Sequence, residues 1–270
     1  MREPAVAGVI GWPVSHSKSP LIHRFWLGKL GLDGDYSRFP VLPEQIGTFV
    51  RALPVMGLRG VNVTVPHKLA VMAHLDDLAP GAAAVGAVNT VVVGRDGRLI
   101  GHNSDVAGIA GPAGPALAGR SMLLVGSGGA ARAAAAAARL GGASALWIMA
   151  RNHNAAGALL AASGLPGGVM AIGDPLPADT GLVFNATTLG MAGQPPLQID
   201  LGWLPADAVV FDAVYAPLET ALLAEARERG LATIDGLAML IGQAAEAFRL
   251  FFAAEAPRQH DDELRALLIR

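Results

Sequence analysis

Gly126-Ser127-Gly128-Gly129-Ala130-Ala131 follows the apolar run Met122-Leu123-Leu124-Val125 and opens an alanine-rich stretch that reaches Leu140. A strand ending in G-x-G-x-x-G/A and running straight into a helix commits this part of the chain to a βα unit of a parallel sheet. Gly126 permits the tight turn, Gly128 lets the backbone approach a pyrophosphate, and the helix N-terminus offers unpaired N–H groups and a positive dipole end. The bland reading of the same residues is an ordinary glycine-rich turn. The next apolar run, Leu146–Ala150, ends at Arg151, where an NAD site usually carries an acid for the ribose 2′-hydroxyl. No acid stands there. A guanidinium pairs instead with a 2′-phosphate, so the local chemistry favours NADP, with a solvated surface arginine as the alternative.

Short Val/Ile-rich runs alternate with longer Ala/Leu-rich ones along the whole chain, the pattern of an α/β protein with a largely parallel sheet. Strands are expected at Ala5–Ile10, Tyr36–Val41 and Gly60–Val65, and a hairpin joins Asn89–Val93 to Arg98–Ile100 through Asp96-Gly97. Helices are expected from Ser19 to Gly31, with Ser19 as cap and Pro20 first in the helix, from Pro43 to Leu53, and from Pro66 onward. After Asn103 a Gly/Pro/Ala stretch suits a short helix and a connection, which sets a domain boundary near 104. Beyond it come strands at Ser121–Val125, Ala145–Ala150, Val169–Ile172, Leu182–Asn185 and Val209–Phe211, with a helix at Gly129–Leu140. The tail, Leu237–Ala254 and Asp261–Leu268, reads as helices that pack back on either half.

Composition narrows the function classes. With 52% hydrophobic and 16% charged residues over 270, disorder is excluded. Twenty basic against 22 acidic side chains leave a charge of −2, which argues against nucleic acid. The chain has no cysteine, which excludes disulfides and thiolate chemistry and fits a reducing, cytoplasmic setting. The uncharged stretch 155–173 is broken by Gly157, Gly164, Pro166, Gly167 and Gly168, so no membrane span is expected. The N-terminal residues read as a buried strand, because Glu3, Gly8, Gly11 and Pro13 spoil a signal core. The histidines are scattered, so no metal site is expected, and no G-x-S-x-G elbow supports a hydrolase.

Two further clusters carry chemistry. Ser15-His16-Ser17-Lys18-Ser19-Pro20 puts hydroxyls at a strand-to-helix turn, a place that suits a small carboxylate or merely caps the helix. Gly60-Val61-Asn62-Val63-Thr64-Val65-Pro66-His67-Lys68 is an apolar strand that ends in Thr, Pro and Lys. A lysine near a helix start is ordinarily solvated, and Asp105 is an ordinary helix cap, so spacing alone gives neither a catalytic role.

Taken together, S-K-S-P (17–20), G-x-N-V-T-V-P-x-K (60–68), G-A-V-N-T (86–90), G-x-N-S-D (101–105), G-S-G-G-A (126–130), N-A-T (185–187), D-x-x-Y (212–215) and D-G-L-x-M-L-x-x-Q-A (235–244) closely resemble the shikimate dehydrogenase family. They stand in the family's order and span nearly the whole chain. The resemblance implies an N-terminal α/β substrate domain (1–104 plus 237–270), a Rossmann-type NADP domain (105–236) and an active site in the cleft between domains. It implies Lys68 and Asp105 as the catalytic pair. Ser17, Ser19 and Tyr215 would hold the substrate carboxylate, and Thr64, Asn89 and Gln243 would meet the ring hydroxyls. The cofactor would lie against Gly126, Ser127, Gly128, Gly129, Ala130, Arg151 and Thr187, with Gly236 and Met239 by the nicotinamide.

The implied reaction is the NADPH-dependent reduction of 3-dehydroshikimate to shikimate in aromatic amino-acid biosynthesis, by a monomer or homodimer that binds neither nucleic acid nor membrane. A quinate-oxidising relative is the alternative enzyme. A catalytically silent metabolite sensor is the alternative of another class, and the presence of both Lys68 and Asp105 argues against it. Three departures stand out: Ala150-Arg151-Asn152 where the family commonly has Asn-Arg-Thr, Ser104 where Thr is more usual, and the bulky Trp12 near the Ser loop, which either packs or shapes the pocket rim.

Overall fold

A computed structural model describes residues 4–171, 173–175 and 177–270. Its elements run β1 (Ala5–Gly11), α1 (Ser19–Leu30), β2 (Gly34–Pro40), α2 (Ile46–Ala52), β3 (Leu58–Val63), β4 (Asp77–Leu78), α3 (Pro80–Val85), β5 (Thr90–Val93), β6 (Leu99–His102) and α4 (Asp105–Leu117). They continue β7 (Ser121–Val125), α5 (Gly129–Leu140), β8 (Ala145–Met149), α6 (His153–Ser163), β9 (Gly167–Met170), β10 (Thr180–Asn185), β11 (Val209–Asp212), α7 (Ala221–Glu228), β12 (Ala232–Ile234), α8 (Gly236–Phe252) and α9 (Asp261–Ile269). By its contacts the chain divides into Met1–Ser104 with Gln243–Arg270, and Asp105–Gly242, so the return crossing lies inside α8 rather than before it.

In the first unit the sheet order is β2-β1-β3-β5-β6-β4. β1 lies parallel to β2 and β3, and the β5–β6 hairpin runs antiparallel beside β3. Strand alternation sorts side chains to two faces. Ile10, Val61 and Val63 pack with Val50 and Leu53 of the α2 region, while Ala7 and Val9 pack with Tyr36 and with Ala247 and Phe251 of α8. Gly60 lies under α8 at φ 157, and a Cβ there would stand 2.1 Å from the Val91 carbonyl oxygen, so only glycine fits.

The second unit is a sheet ordered β12-β11-β10-β7-β8-β9, with every pairing parallel. Counted within the unit this is the order 3-2-1-4-5-6, whose strand sequence reverses between β7 and β10; ligands of such sheets bind at that switch point. β7 and β10 are buried along their whole length, which is why their centres, Met122–Val125 and Leu182–Phe184, read as apolar runs without alternation. Six alanines of α5 are buried, and their small side chains let the helix sit close to its neighbours; the alanine richness that raises the hydropathy is helix packing.

Several local expectations change. Helix α1 begins at Ser19, with Lys18 in the cap position and no side-chain cap, so Ser19 does not cap it. Past Pro66 the chain forms turns and a 3-10 segment, Ala70–His74, instead of an α-helix. The His67 ring nitrogen bonds the Val41 carbonyl at 2.8 Å and the Lys68 carbonyl accepts Val88 N–H at 3.0 Å, tying this segment to strand ends rather than to a helical ladder. Conversely, the Gly/Pro/Ala stretch is a full helix, α4, with Pro112 and Pro115 inside. A proline ring collides with the carbonyl four residues earlier, and those positions are Gly108 and Gly111, whose backbones adjust most readily. The strand expected at Val169–Ile172 is β9; Ile172 lies outside the described residues, as do residues 1–3 ahead of the strand expected at Ala5–Ile10. Among the described residues no helix is long and apolar enough to cross a membrane, and no group of His, Asp and Glu has the makings of a metal site.

Candidate active site

One end of the first unit's sheet gathers most of the residues singled out for the substrate. Trp12 N–H, just past β1, donates to the Val65 carbonyl at 3.1 Å, and a Cβ on Gly11 would stand 2.5 Å from the Thr64 methyl carbon. The Ser loop therefore leaves β1 beside the end of β3. Val63 N–H donates to the Asn89 carbonyl at 2.7 Å, and with the Lys68–Val88 bond this brings Thr64, Lys68 and Asn89 to adjoining strand ends. Trp12 itself is half exposed, so it is not a core residue.

In the Ser loop the two hydroxyls stand 3.3 Å apart, both nearly buried, and Ser17 Oγ accepts Ser19 N–H at 3.3 Å. The cap-like bond expected of Ser19 thus belongs to Ser17. Arg38, from β2, donates to the Ser17 carbonyl through Nε at 2.9 Å and Nη2 at 2.5 Å, a two-pronged brace that no sequence motif announced. The Lys18 ammonium donates to the Leu268 carbonyl at the end of α9.

Asn89 is held by a buried network. Its Oδ1 accepts Ser104 N–H at 2.7 Å and the Thr90 hydroxyl at 3.0 Å, and its Nδ2 donates to Ser104 Oγ at 3.0 Å. Ser104 Oγ lies 3.4 Å from Gln243 Oε1. The serine that replaces the more usual threonine therefore links two expected substrate contacts. Asp105, the next residue, opens α4 and is 4% exposed. Tyr36, Asn62 and Thr90 complete this network and were given no role from the sequence, although Asn62 and Thr90 stand inside the motifs at 60–68 and 86–90.

In the second unit a cavity of about 720 Å³ opens at the switch point. Gly126, Ser127 and Gly128 line it with Arg151, Asn152 and Thr187, and no Asp or Glu is among its described lining residues. Gly126 sits at φ 113 and a Cβ there would stand 3.1 Å from the Thr187 methyl carbon, while Gly128 occupies the N-cap of α5 with no side chain in the way. A glycine cradle at a helix N-terminus, free of acids and flanked by an arginine, suits a phosphorylated dinucleotide of the NADP type. Gly129 and Ala130 open α5 behind the cradle. Asn152 is spoken for: its Oδ1 accepts Ala155 N–H at 3.0 Å and caps α6, a local duty for the residue that replaces the family's threonine.

Tyr215 follows β11 and is half-buried, and burial pushes its ionisation above the usual range, so it remains a hydroxyl donor at neutral pH. Asp235 Oδ1 accepts the N–H groups of Leu237 and Ala238 and caps α8, whose first turns carry Gly236 and Met239. A Cβ on Gly236 would stand 2.5 Å from the Ala213 and Val214 carbonyl oxygens, so only glycine lets α8 start so close to the turn that carries Tyr215.

Comparison with known proteins points one way. The family model described as the shikimate dehydrogenase substrate binding domain matches residues 9–91, and that of the shikimate 5′-dehydrogenase C-terminal domain matches residues 236–261. A shikimate dehydrogenase (NADP+) from Sphingopyxis alaskensis is 51% identical over 267 residues, covering 97% of this chain and 96% of the relative. A solved shikimate dehydrogenase in complex with NADP+ superposes with a TM-score of 0.90 at 32% identity, over 99% of this chain and 96% of the other. The Thermus thermophilus enzyme in complex with NADP(H) and shikimate gives 0.85 at 36% identity, over 97% of this chain and 99% of the other.

Proposed function

The chain belongs to the shikimate dehydrogenase family, and on that premise we propose that Lys68 and Asp105 are its catalytic pair. The reaction is the reversible, NADPH-dependent reduction of 3-dehydroshikimate to shikimate, a step of aromatic amino-acid biosynthesis. In this assignment Met1–Ser104 with the C-terminal helices holds the substrate and the switch-point unit holds the cofactor. Ser17, Ser19 and Tyr215 take the carboxylate, and Thr64, Asn89 and Gln243 take the ring hydroxyls. A cysteine-free chain suits the reducing cytoplasm, where the enzyme works as a monomer or homodimer.

The observation that carries the reading is the convergence of Thr64, Lys68 and Asn89 on adjoining strand ends, with Asn89 tied through Ser104 to Gln243. Bound NADPH supplies the hydride. Lys68 gives a proton to the alkoxide that develops on the substrate and stabilises its charge. Asp105 orients the ammonium. Hydroxyl-matched side chains reject analogues, because a missing substrate hydroxyl leaves buried partners unpaired. Arg151 meets the 2′-phosphate, and Gly236 and Met239 flank the nicotinamide.

The test is Lys68→Ala. Losing a positioned acid lowers kcat by about 10² or more, while the KM for shikimate changes far less. A variant that keeps half its turnover removes Lys68 from the mechanism.

A further inference from the structure

Two sequence motifs, Asn185-Ala186-Thr187 and Asp212-Ala213-Val214-Tyr215, in which Asn185 and Asp212 are still without a role, meet inside the second unit. Asp212 has no accessible surface, and no cation pairs with it among the described residues. Its carboxylate is held by neutral donors alone. Oδ1 accepts Asn185 Nδ2 at 2.9 Å and Val214 N–H at 3.0 Å, and Oδ2 accepts the Thr220 hydroxyl at 2.7 Å. Burial raises its pKa, the direction expected of a carboxylate removed from water without a countercharge. An apolar residue of similar size would fill this space at lower cost, so the carboxylate does something that packing does not.

What it does is read from its two branches. Asn185, also without accessible surface, spends one amide N–H on Asp212 and the other on the Leu189 carbonyl at 3.1 Å. That fixes the amide orientation, and Oδ1 is left to accept Thr187 N–H at 3.0 Å and the Thr187 hydroxyl at 2.7 Å. Thr187 lines the cofactor cavity opposite Gly126. On the other branch, Val214 N–H on Asp212 and Ala213 N–H on the Asn185 carbonyl at 3.0 Å set the turn that leads to Tyr215 and abuts Gly236. We propose that Asp212, through Asn185, is a positioning residue that sets the cofactor contact Thr187 and the substrate-bearing turn at Tyr215 together, touching neither ligand itself. This rests on the roles given to Thr187 and Tyr215 above.

The experiment measures NADP+ KM, shikimate KM, kcat and Tm for Asp212→Asn, Thr187→Ala and the double variant. Asparagine keeps the shape and one acceptor but cannot accept from all three donors. Asp212→Asn is expected to raise both KM values by about three- to tenfold, in the lower part of the range for coupled neighbours, with Tm within a few degrees of the parent. Its effect on NADP+ KM should largely vanish once Thr187 is alanine, while its effect on shikimate KM persists. A lowered Tm with both KM values unchanged, or NADP+ effects that simply multiply, overturns the coupling. If Thr187→Ala alone leaves NADP+ KM unchanged, the cofactor reading of Thr187 fails instead. Should Asp212→Asn not fold, Thr220→Val removes one of the three donors, and the same pattern at smaller amplitude is expected; no change in either KM overturns the proposal.

Discussion

The Tyr36 hydroxyl donates to Asn62 Oδ1 across 2.7 Å, with both side chains out of reach of solvent. The bond fixes the asparagine amide, so Nδ2 donates to Thr90 Oγ1 at 2.9 Å and to the Asn89 carbonyl at 3.2 Å. Thr90 then donates onward to Asn89 Oδ1. The orientation of the Asn89 amide, assigned above to a substrate hydroxyl, is thus set from a tyrosine on β2.

Removing the Tyr36 hydroxyl tests that chain. Tyr36→Phe leaves Asn62 Oδ1 without its donor, at a stability cost of about 1 to 3 kcal/mol, and shikimate kcat/KM should fall while NADP+ KM stays put. Unchanged shikimate kinetics with a lowered Tm would make the bond purely structural.

For Ser17, alanine should cost about 1 to 3 kcal/mol in shikimate kcat/KM, the scale of a hydrogen bond to a charged group. Because Ser17 Oγ also accepts Ser19 N–H, a small loss of stability accompanies it. If Ser17→Ala uses shikimate as well as the parent but melts several degrees lower, the loop is only a helix entrance, braced by Arg38.

Much of this was legible where the cause is local. The Met122–Val125 run followed by Gly126 and Gly128 specifies its strand, turn and helix within twenty residues, and the Asp96-Gly97 turn specifies its hairpin. The networks were not legible, since Tyr36 meets Asn62, and Asn89 meets Ser104, only through sheet register. The segment after Pro66 misled because its conformation is decided by distant carbonyls, and α4 because glycines offset its prolines. Arg38 on Ser17 belongs with the networks: nothing in S-K-S-P points to β2.

Arg151 should set cofactor choice. Among the described residues lining the switch-point cavity it alone is charged, and its planar fork matches a 2′-phosphate. Arg151→Ala should raise the KM for NADP+ and leave that for NAD+ nearly unchanged. Equal losses with both would mark a structural arginine.

His23 should govern part of the acid limb of stability. It stacks on Tyr36 with ring centroids 4.0 Å apart, has no hydrogen-bond partner on either ring nitrogen among the described residues, and burial lowers its pKa from 6.5 to about 3. The unfolded chain takes up a proton below pH 6.5 that the folded protein refuses until about pH 3, so stability falls as pH drops through that window. The slope contributed is about 1.4 kcal/mol per pH unit. His23→Phe, which keeps the stacked ring, should flatten the limb and gain about 2 kcal/mol relative to the parent at pH 5 compared with pH 8. Parallel pH profiles for the two proteins would contradict the buried neutral imidazole.

The most direct test of the whole assignment is steady-state kinetics of the purified protein over four combinations, shikimate or quinate with NADP+ or NAD+. The highest kcat/KM should fall on shikimate with NADP+, with NAD+ penalised because Arg151 has no 2′-phosphate to meet and quinate penalised by its extra hydroxyl against a matched site. Highest efficiency on quinate, or with NAD+, would contradict the substrate or cofactor assignment respectively, and no turnover with any pair would contradict the enzyme.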